Sequence, residues 1–150
     1  MKTLMLMLAT ALMISAYAAP EVYVSPTGND DTGDGSRAKP YQTIVKGVDS
    51  CDAGGTLTLL KGRHDLGYGA TEIKKGITVR GETDDPWDTI VNLNAGTGPA
   101  FALNHANMLV CNLAVTNAGG SYAQGSAFKI VGSGGTVSNC GIWKCHSSGW

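Results

Sequence analysis

Between Thr97 and Trp150 the chain repeats itself with a fixed period. A shift of 27 positions lays Gly98 on Gly125, Ala100 on Ala127, Phe101 on Phe128, Val110 on Val137, Asn112 on Asn139 and Ser121 on Ser148. Leu103 meets Ile130 and Val115 meets Ile142 under the same shift, with nothing inserted or deleted. Such a period marks a solenoid, in which a unit unable to bury its own apolar face stacks on a neighbour. A helical repeat would space apolar residues three and four apart over a long window. Here they alternate in short bursts, Phe101-Ala-Leu103 and Phe128-Lys-Ile130. The bursts read as strands. The runs between them, Asn104 to Asn107, Asn117 to Ser121 and Gly132 to Gly135, carry the Gly and Asn that tolerate left-handed corners. Short strands joined by corners are the cross-section of a parallel β-helix, so the expected class is all-β.

Composition agrees with a corner-rich β protein. The chain has 150 residues, 21 of them glycine, and only 15% are charged, whereas helical bundles are richer in Glu, Lys, Ala and Leu. With a formal net charge of -1 and no basic stripe, nothing argues for a nucleic-acid partner. A stack ending at Trp150, inside a coil, would present an uncapped sheet edge. The chain is therefore read as the N-terminal fragment of a longer stack.

Residues 1–18 read as a signal peptide: Lys2 is the positive end, Leu4 to Ile14 the apolar run, and Ala16-Tyr17-Ala18 the cleavage site, cut after Ala18. The apolar run falls short of the roughly 20 residues of a membrane span. Secretion to the extracellular space, with no membrane span after cleavage, is expected. Residues 19–55 should hold a strand at Glu21 to Ser25, an Asx/Gly loop at Gly28 to Gly35 and a capping helix. The loop fails as a calcium-binding EF-hand because Tyr41 stands where the closing Glu belongs. Tyr41, Ile44, Val45 and Val48 form one apolar stripe that predicts a helix over Pro40–Cys51, plugging the open end of the first coil. Residues 56–150 hold the coils, incomplete at the C-terminus, with strands predicted at Thr56–Leu60, Glu72–Lys75, Ile77–Val79 and Thr89–Leu93 and a bulging loop at Thr83–Asp88.

Three motifs carry a resemblance to a known family: Val22-Tyr-Val-Ser-Pro-Thr-Gly-Asn-Asp30, then Gly35-Ser-x-x-x-Pro40-Tyr-x-Thr-Ile44, then Gly55-Thr-Leu-x-Leu-x-x-Gly62. With Asn112-Leu-Ala-Val-Thr-Asn-Ala-Gly119 and Val137-Ser-Asn-Cys-Gly-Ile142, they resemble secreted right-handed parallel β-helix proteins of the pectin-lyase-like superfamily. The chain is most similar to the N-terminal part of family 9 polysaccharide lyases, which are pectate lyases. The resemblance implies β-elimination on an acidic polysaccharide, a polyuronate, by the full-length parent. In that chemistry Ca2+ draws charge from the substrate carboxylate and a Lys removes the proton. The calcium and base motifs of the family lie downstream of the matched segment. No catalytic, cofactor-binding or metal residue is therefore assigned here, and this segment alone is expected to be inactive.

Local candidates remain. Trp143 and Lys144 pair an aromatic face with a cation, which suits an acidic glycan, although an exposed strand Lys is the commoner meaning. Asn112 and Asn139 either form an amide ladder along the stack or simply suit a turn. His64, His105 and His146 lack metal-ligand spacing and read as corner residues. Of the four cysteines, Cys111 and Cys140 are the favoured disulfide, because Cys140 overlies Leu113, two positions from Cys111. A monomer is expected. Against the lyase stands a second function class, a non-catalytic β-helix adhesin or glycan-binding surface protein, which needs the scaffold but no base.

Overall fold

The computed structural model describes residues 20–66, 71–94, 98–120, 126–131 and 134–147. The segment read as a signal peptide, residues 1–18 with the expected cleavage after Ala18, lies outside them, as do Ser121, Gly125 and Ser148 of the repeat. The described chain is mostly β-strand in parallel sheets, with one α-helix. In order the elements are β1 (Glu21–Val24), α1 (Ile44–Ser50), β2 (Thr56–Leu59), β3 (Gly62–Asp65), β4 (Thr71–Ile73), β5 (Thr78–Gly81) and β6 (Thr89–Asn92). There follow β7 (Phe101–Leu103), β8 (Met108–Cys111), β9 (Ala114–Thr116), β10 (Gly119–Gly120), β11 (Phe128–Ile130), β12 (Gly135–Ser138), β13 (Gly141–Trp143) and β14 (His146–Ser147). A 3-10 turn at Pro86–Asp88 interrupts the bulging loop before β6.

From β2 onward, successive strands other than β10 and β14 enter three sheets in rotation. The sheets run β1-β2-β5-β8-β12, β13-β9-β6-β3 and β11-β7-β4, and β10 pairs with β14 in a fourth. Among the described residues no sheet closes on itself. The 27-residue register of the sequence is the register of the strands: Phe128 pairs with Phe101, Ile130 with Leu103, Val137 with Val110 and Ile142 with Val115. The longer earlier offsets hold as well, with Ile73 on Leu103 and Val79 on Val110. The rings of Phe101 and Phe128 stack with centroids 6.1 Å apart and planes 12° from parallel. Left-handed backbone recurs at matched corners, at Asn112 and Asn139 and at Asn117 and Lys144, as a fixed-period turn requires.

The helix is shorter than its apolar stripe predicts. Thr43 caps it, its hydroxyl accepting from the Lys46 amide, and Tyr41 stands outside, bridged to Val24. Ile44, Gly47 and Val48 face inward, while Val45 is 51% exposed. The packed face is set by Gly47, where a Cβ would lie 2.5 Å from Val24 and 2.7 Å from Leu57. A periodicity that counts only large apolar residues cannot see a glycine used for close approach. α1 packs on β1, β2 and β4. The Asx/Gly loop is held as the sequence implies: the Asn29 side chain accepts the amides of Asp31 and Thr32, and Asp34 that of Ser36. Strand bounds shift: of Glu72–Lys75 only Glu72 and Ile73 are strand, in β4, and Ile77–Val79 becomes Thr78–Gly81; β3 forms where the sequence predicted no strand. His64, read as a corner residue, lies within β3 and is buried.

Candidate functional site on the outer face of the four-stranded sheet

Along β3, β6, β9 and β13 the residues alternate between the interior and an outer face. His64, Val91, Val115 and Ile142 form the inward row. Two rows face outward: Arg63, Ile90, Ala114 and Gly141, then Asp65, Asn92, Thr116 and Trp143.

The second row is a polar ladder ending in an indole. Asn92, fully buried, donates to Asp65 Oδ1 at 2.6 Å and to Asn94 Oδ1 at 2.9 Å. Its own oxygen accepts from Asn117 at 2.6 Å and from the Thr116 hydroxyl at 3.3 Å. Arg63 closes the far end, donating to Asp65 at 2.9 Å and to Asn94 at 3.1 Å. The Asn92 amide, then Arg63, hold the Asp65 carboxyl below the usual carboxylate range despite some burial. Trp143 ends the row 59% exposed, and Lys144 follows in a left-handed corner.

The Thr83–Asp88 loop lays a second indole on this face. A Cβ on Gly141 would lie 2.9 Å from the Trp87 ring and 3.2 Å from the Ala114 methyl, so Gly141 leaves the space that Trp87 fills. Gly141 and Trp143 are on the same strand face, about 7 Å apart along the strand. Trp87, against Gly141, and Trp143, two residues on along β13, are thus both partly exposed on this face. The loop is pinned from below. Asn112 donates to Asp84 Oδ1 at 3.0 Å, and Asn139 donates to the Asp84 carbonyl at 2.7 Å and to Asn112 Oδ1 at 3.0 Å. The two asparagines thus bond to each other and to the loop. Gly81 permits the approach: a Cβ there would sit 1.8 Å from the Asn112 carbonyl oxygen. Asp85 caps the 3-10 turn at the Trp87 amide, and Asp88 takes Lys61 at 2.8 Å and the Thr83 hydroxyl at 2.8 Å.

Cys111 and Cys140 are free thiols, so the bridge inferred from the sequence is not formed in this structure. Cys111 lies in register with Ser138, and Cys140 turns its Sγ to the carbonyls of Ser138 and Val110 at 3.3 and 3.7 Å. Burial raises both thiol pKa values above the ordinary range, which favours the unreactive form. His105 is exposed at a corner, as expected.

Of the residues gathered here, Trp143, Lys144, Asn112 and Asn139 were singled out in the sequence, and the last two bond to each other as a ladder requires. Trp87, Asp65, Asn92 and Thr116 were not. The available signal was the period itself, since Thr116 precedes Trp143, and Asn117 precedes Lys144, by one repeat. A calcium ion needs several free oxygens in one place. Asp65, Asp84, Asp85 and Asp88 are each spent on a neighbouring amide, hydroxyl or cation, and no group of three His, Cys, Asp or Glu among the described residues could hold a metal. These residues do not fit Ca2+. No helix among them is long and apolar enough to cross a membrane. No family model, no curated protein and no solved structure matches the chain.

Proposed function

We propose that the chain is part of a secreted right-handed parallel β-helix that binds an extended acidic glycan on the outer face of the sheet formed by β3, β6, β9 and β13. The rotation of strands through three sheets supports the solenoid, because a chain that visits each sheet once per period advances one layer per turn. The observation that carries the binding reading is the pair of half-exposed indoles, Trp87 and Trp143, beside Lys144 and at the end of a rigid amide ladder. Flat aromatic faces accept the apolar side of a sugar ring, the cation attracts its carboxylate, and the ladder keeps the platform from rearranging. Within the described residues this is a binding surface. The lyase resemblance would add β-elimination on a polyuronate by a full-length parent, a reaction for which this surface supplies neither a calcium site nor a base.

Affinity electrophoresis tests the reading. Migration of the chain should be retarded in gels containing polygalacturonate and far less in a neutral glucan, and added salt should weaken the retardation as it screens Lys144. Equal migration in all gels would overturn it.

A further inference from the structure

The two ends of the described stack are finished differently. At the first layer α1 turns Ile44, Gly47 and Val48 inward, and the free edge of β1 is occupied: the Tyr23 amide donates to the Gly35 carbonyl, and the Tyr23 carbonyl accepts from the Tyr41 amide. At the last described layer β11, β12 and β13 each have a partner strand on one side only. Ile130, Val131 and Ile142 are about half exposed there. Trp87 and Trp143 aside, the other large apolar side chain exposed among the described residues is Val45, on the outward side of α1. Large apolar groups left in water therefore gather at the ends of the stack, and a gathered patch marks an interaction surface.

Charge divides along the same axis. All 12 carboxylates of the chain lie at or before Asp88, and beyond it the Lys and Arg residues are Lys129 and Lys144 alone. Both belong to the last described layer, Lys129 on β11 and Lys144 at the corner after β13. Neither forms an ion pair among the described residues. Glu72, two strands from Lys129 in the same outward row, is held by Lys74 at 2.9 Å. At the other end Asp49 and Asp52 are exposed on and just after α1, again without an ion pair, and the neighbouring cation, Lys46, lies over the Tyr41 ring at 5.5 Å. One end is thus apolar and cationic, the other apolar and anionic.

We propose that the last described layer of one copy docks on the α1 end of a second copy, so that copies add head to tail. Opposed last layers would set Lys129 and Lys144 against their own kind, and opposed α1 ends would do the same with Asp49 and Asp52. Only the head-to-tail contact brings opposite charges together. In it α1 serves two layers: its inner face covers β1, β2 and β4 of its own chain, and its outer side, with Val45, covers Ile130, Val131 and Ile142 of the next. Such a contact joins two different surfaces along the stack axis and does not close on itself, so it generates open chains of copies. A helix of 7 residues covers little area, which places the contact among small, transient interfaces. The inference does not depend on the glycan reading, and no glycan enters its test.

The test is sedimentation velocity on the full chain between about 1 μM and about 1 mM, the range of weak association. The average mass should rise with concentration beyond that of a dimer, and about 0.5 M salt should lower it by screening the end charges. Lys129→Glu with Lys144→Glu gives a copy two anionic ends, and Asp49→Lys with Asp52→Lys gives a copy two cationic ends. Each double variant alone should associate at least about ten-fold more weakly than the wild type. An equimolar mixture of the two should recover association, because every junction then pairs opposite charges, a recovery that misfolded variants cannot give. A monomer at all concentrations, a mass that stops at the dimer, or double variants that associate as the wild type does would each overturn the proposal, and so would a mixture that fails to recover.

Discussion

Leu103 and Ile130 occupy the same place in two copies of one 27-residue pattern, yet Leu103 is fully buried and Ile130 is 52% exposed. The same holds for Val115, fully buried, and Ile142, 56% exposed. The difference is the neighbour. β7 lies between β4 and β11, and β9 between β6 and β13, whereas β11 and β13 are terminal strands among the described residues. In a stacked repeat, burial belongs to the layer rather than to the residue, and side chains of equal chemistry differ in worth by what covers them.

The largest effect that sharpens this comparison is at the stacked rings. Phe101→Ala should cost about 3 to 5 kcal/mol and Phe128→Ala markedly less, because the inner ring leaves an enclosed cavity and the outer ring leaves a surface dimple. Thermal or denaturant unfolding of the pair decides, and equal costs would break the layer argument. Leu103→Ala and Ile130→Ala repeat the contrast, at about 2 to 5 kcal/mol against under about 1. Gly81→Ala comes next. Its Cβ would overlap the Asn112 carbonyl, so the loop carrying Trp87 must move, at about 1 to 3 kcal/mol by analogy with overpacked cores. Chemical denaturation gives the cost, and near-UV circular dichroism should show an altered Trp87 signal.

The comparison was only half legible in the sequence. The period was visible because stacking requires matched side chains at matched positions, and it fixed the register of Phe101, Leu103, Val110 and Val115 on the next layer. It could not say which layer is covered, because the same letters serve in both. β3 was missed for a related reason. Gly62-Arg-His-Asp65 has no apolar alternation, since its inward residue is His64, a polar ring made tolerable by the Leu60 carbonyl. The Trp87 platform was invisible because a loop folding back over Gly141 leaves no trace in any local pattern. The helix was over-extended because Tyr41 is an apolar letter with another task, a bridge to Val24, while Val45, inside the helix, is exposed to solvent and not packed.

A smaller effect separates β3 from the rest of the fold by pH. Burial lowers the His64 pKa in the folded chain below its value of roughly 6.5 in the unfolded chain. The unfolded chain therefore takes up the proton first. Stability from His64 is fully present above that value and is lost as the pH falls toward the folded pKa. Asp65 and Glu82, whose pKa values are lowered by hydrogen bonds from the Asn92 side chain and the Lys61 amide, contribute stability that is lost only in the acid range below about pH 4. Stability measured by urea unfolding should decline between about pH 7 and 5 in the wild type, and that slope should flatten in His64→Gln. An unchanged slope would mean that the ring is not buried neutral.

Trp143 and Ile142 are adjacent on β13 and almost equally exposed, at 59% and 56%, but they face opposite ways. Ile142 lies in the inward row with Val115, on a strand that is terminal among the described residues, and Trp143 lies on the outer face with Thr116. Titration calorimetry with polygalacturonate on the Trp143→Ala and Ile142→Ala variants therefore separates the glycan face from the merely uncovered layer. Trp143→Ala should lose at least about ten-fold in affinity, in line with a truncated aromatic contact, and Ile142→Ala should bind as the wild type does. Binding lost in Ile142→Ala and retained in Trp143→Ala would contradict the account, because the exposed layer edge and not the outer sheet face would then be the surface that meets the glycan.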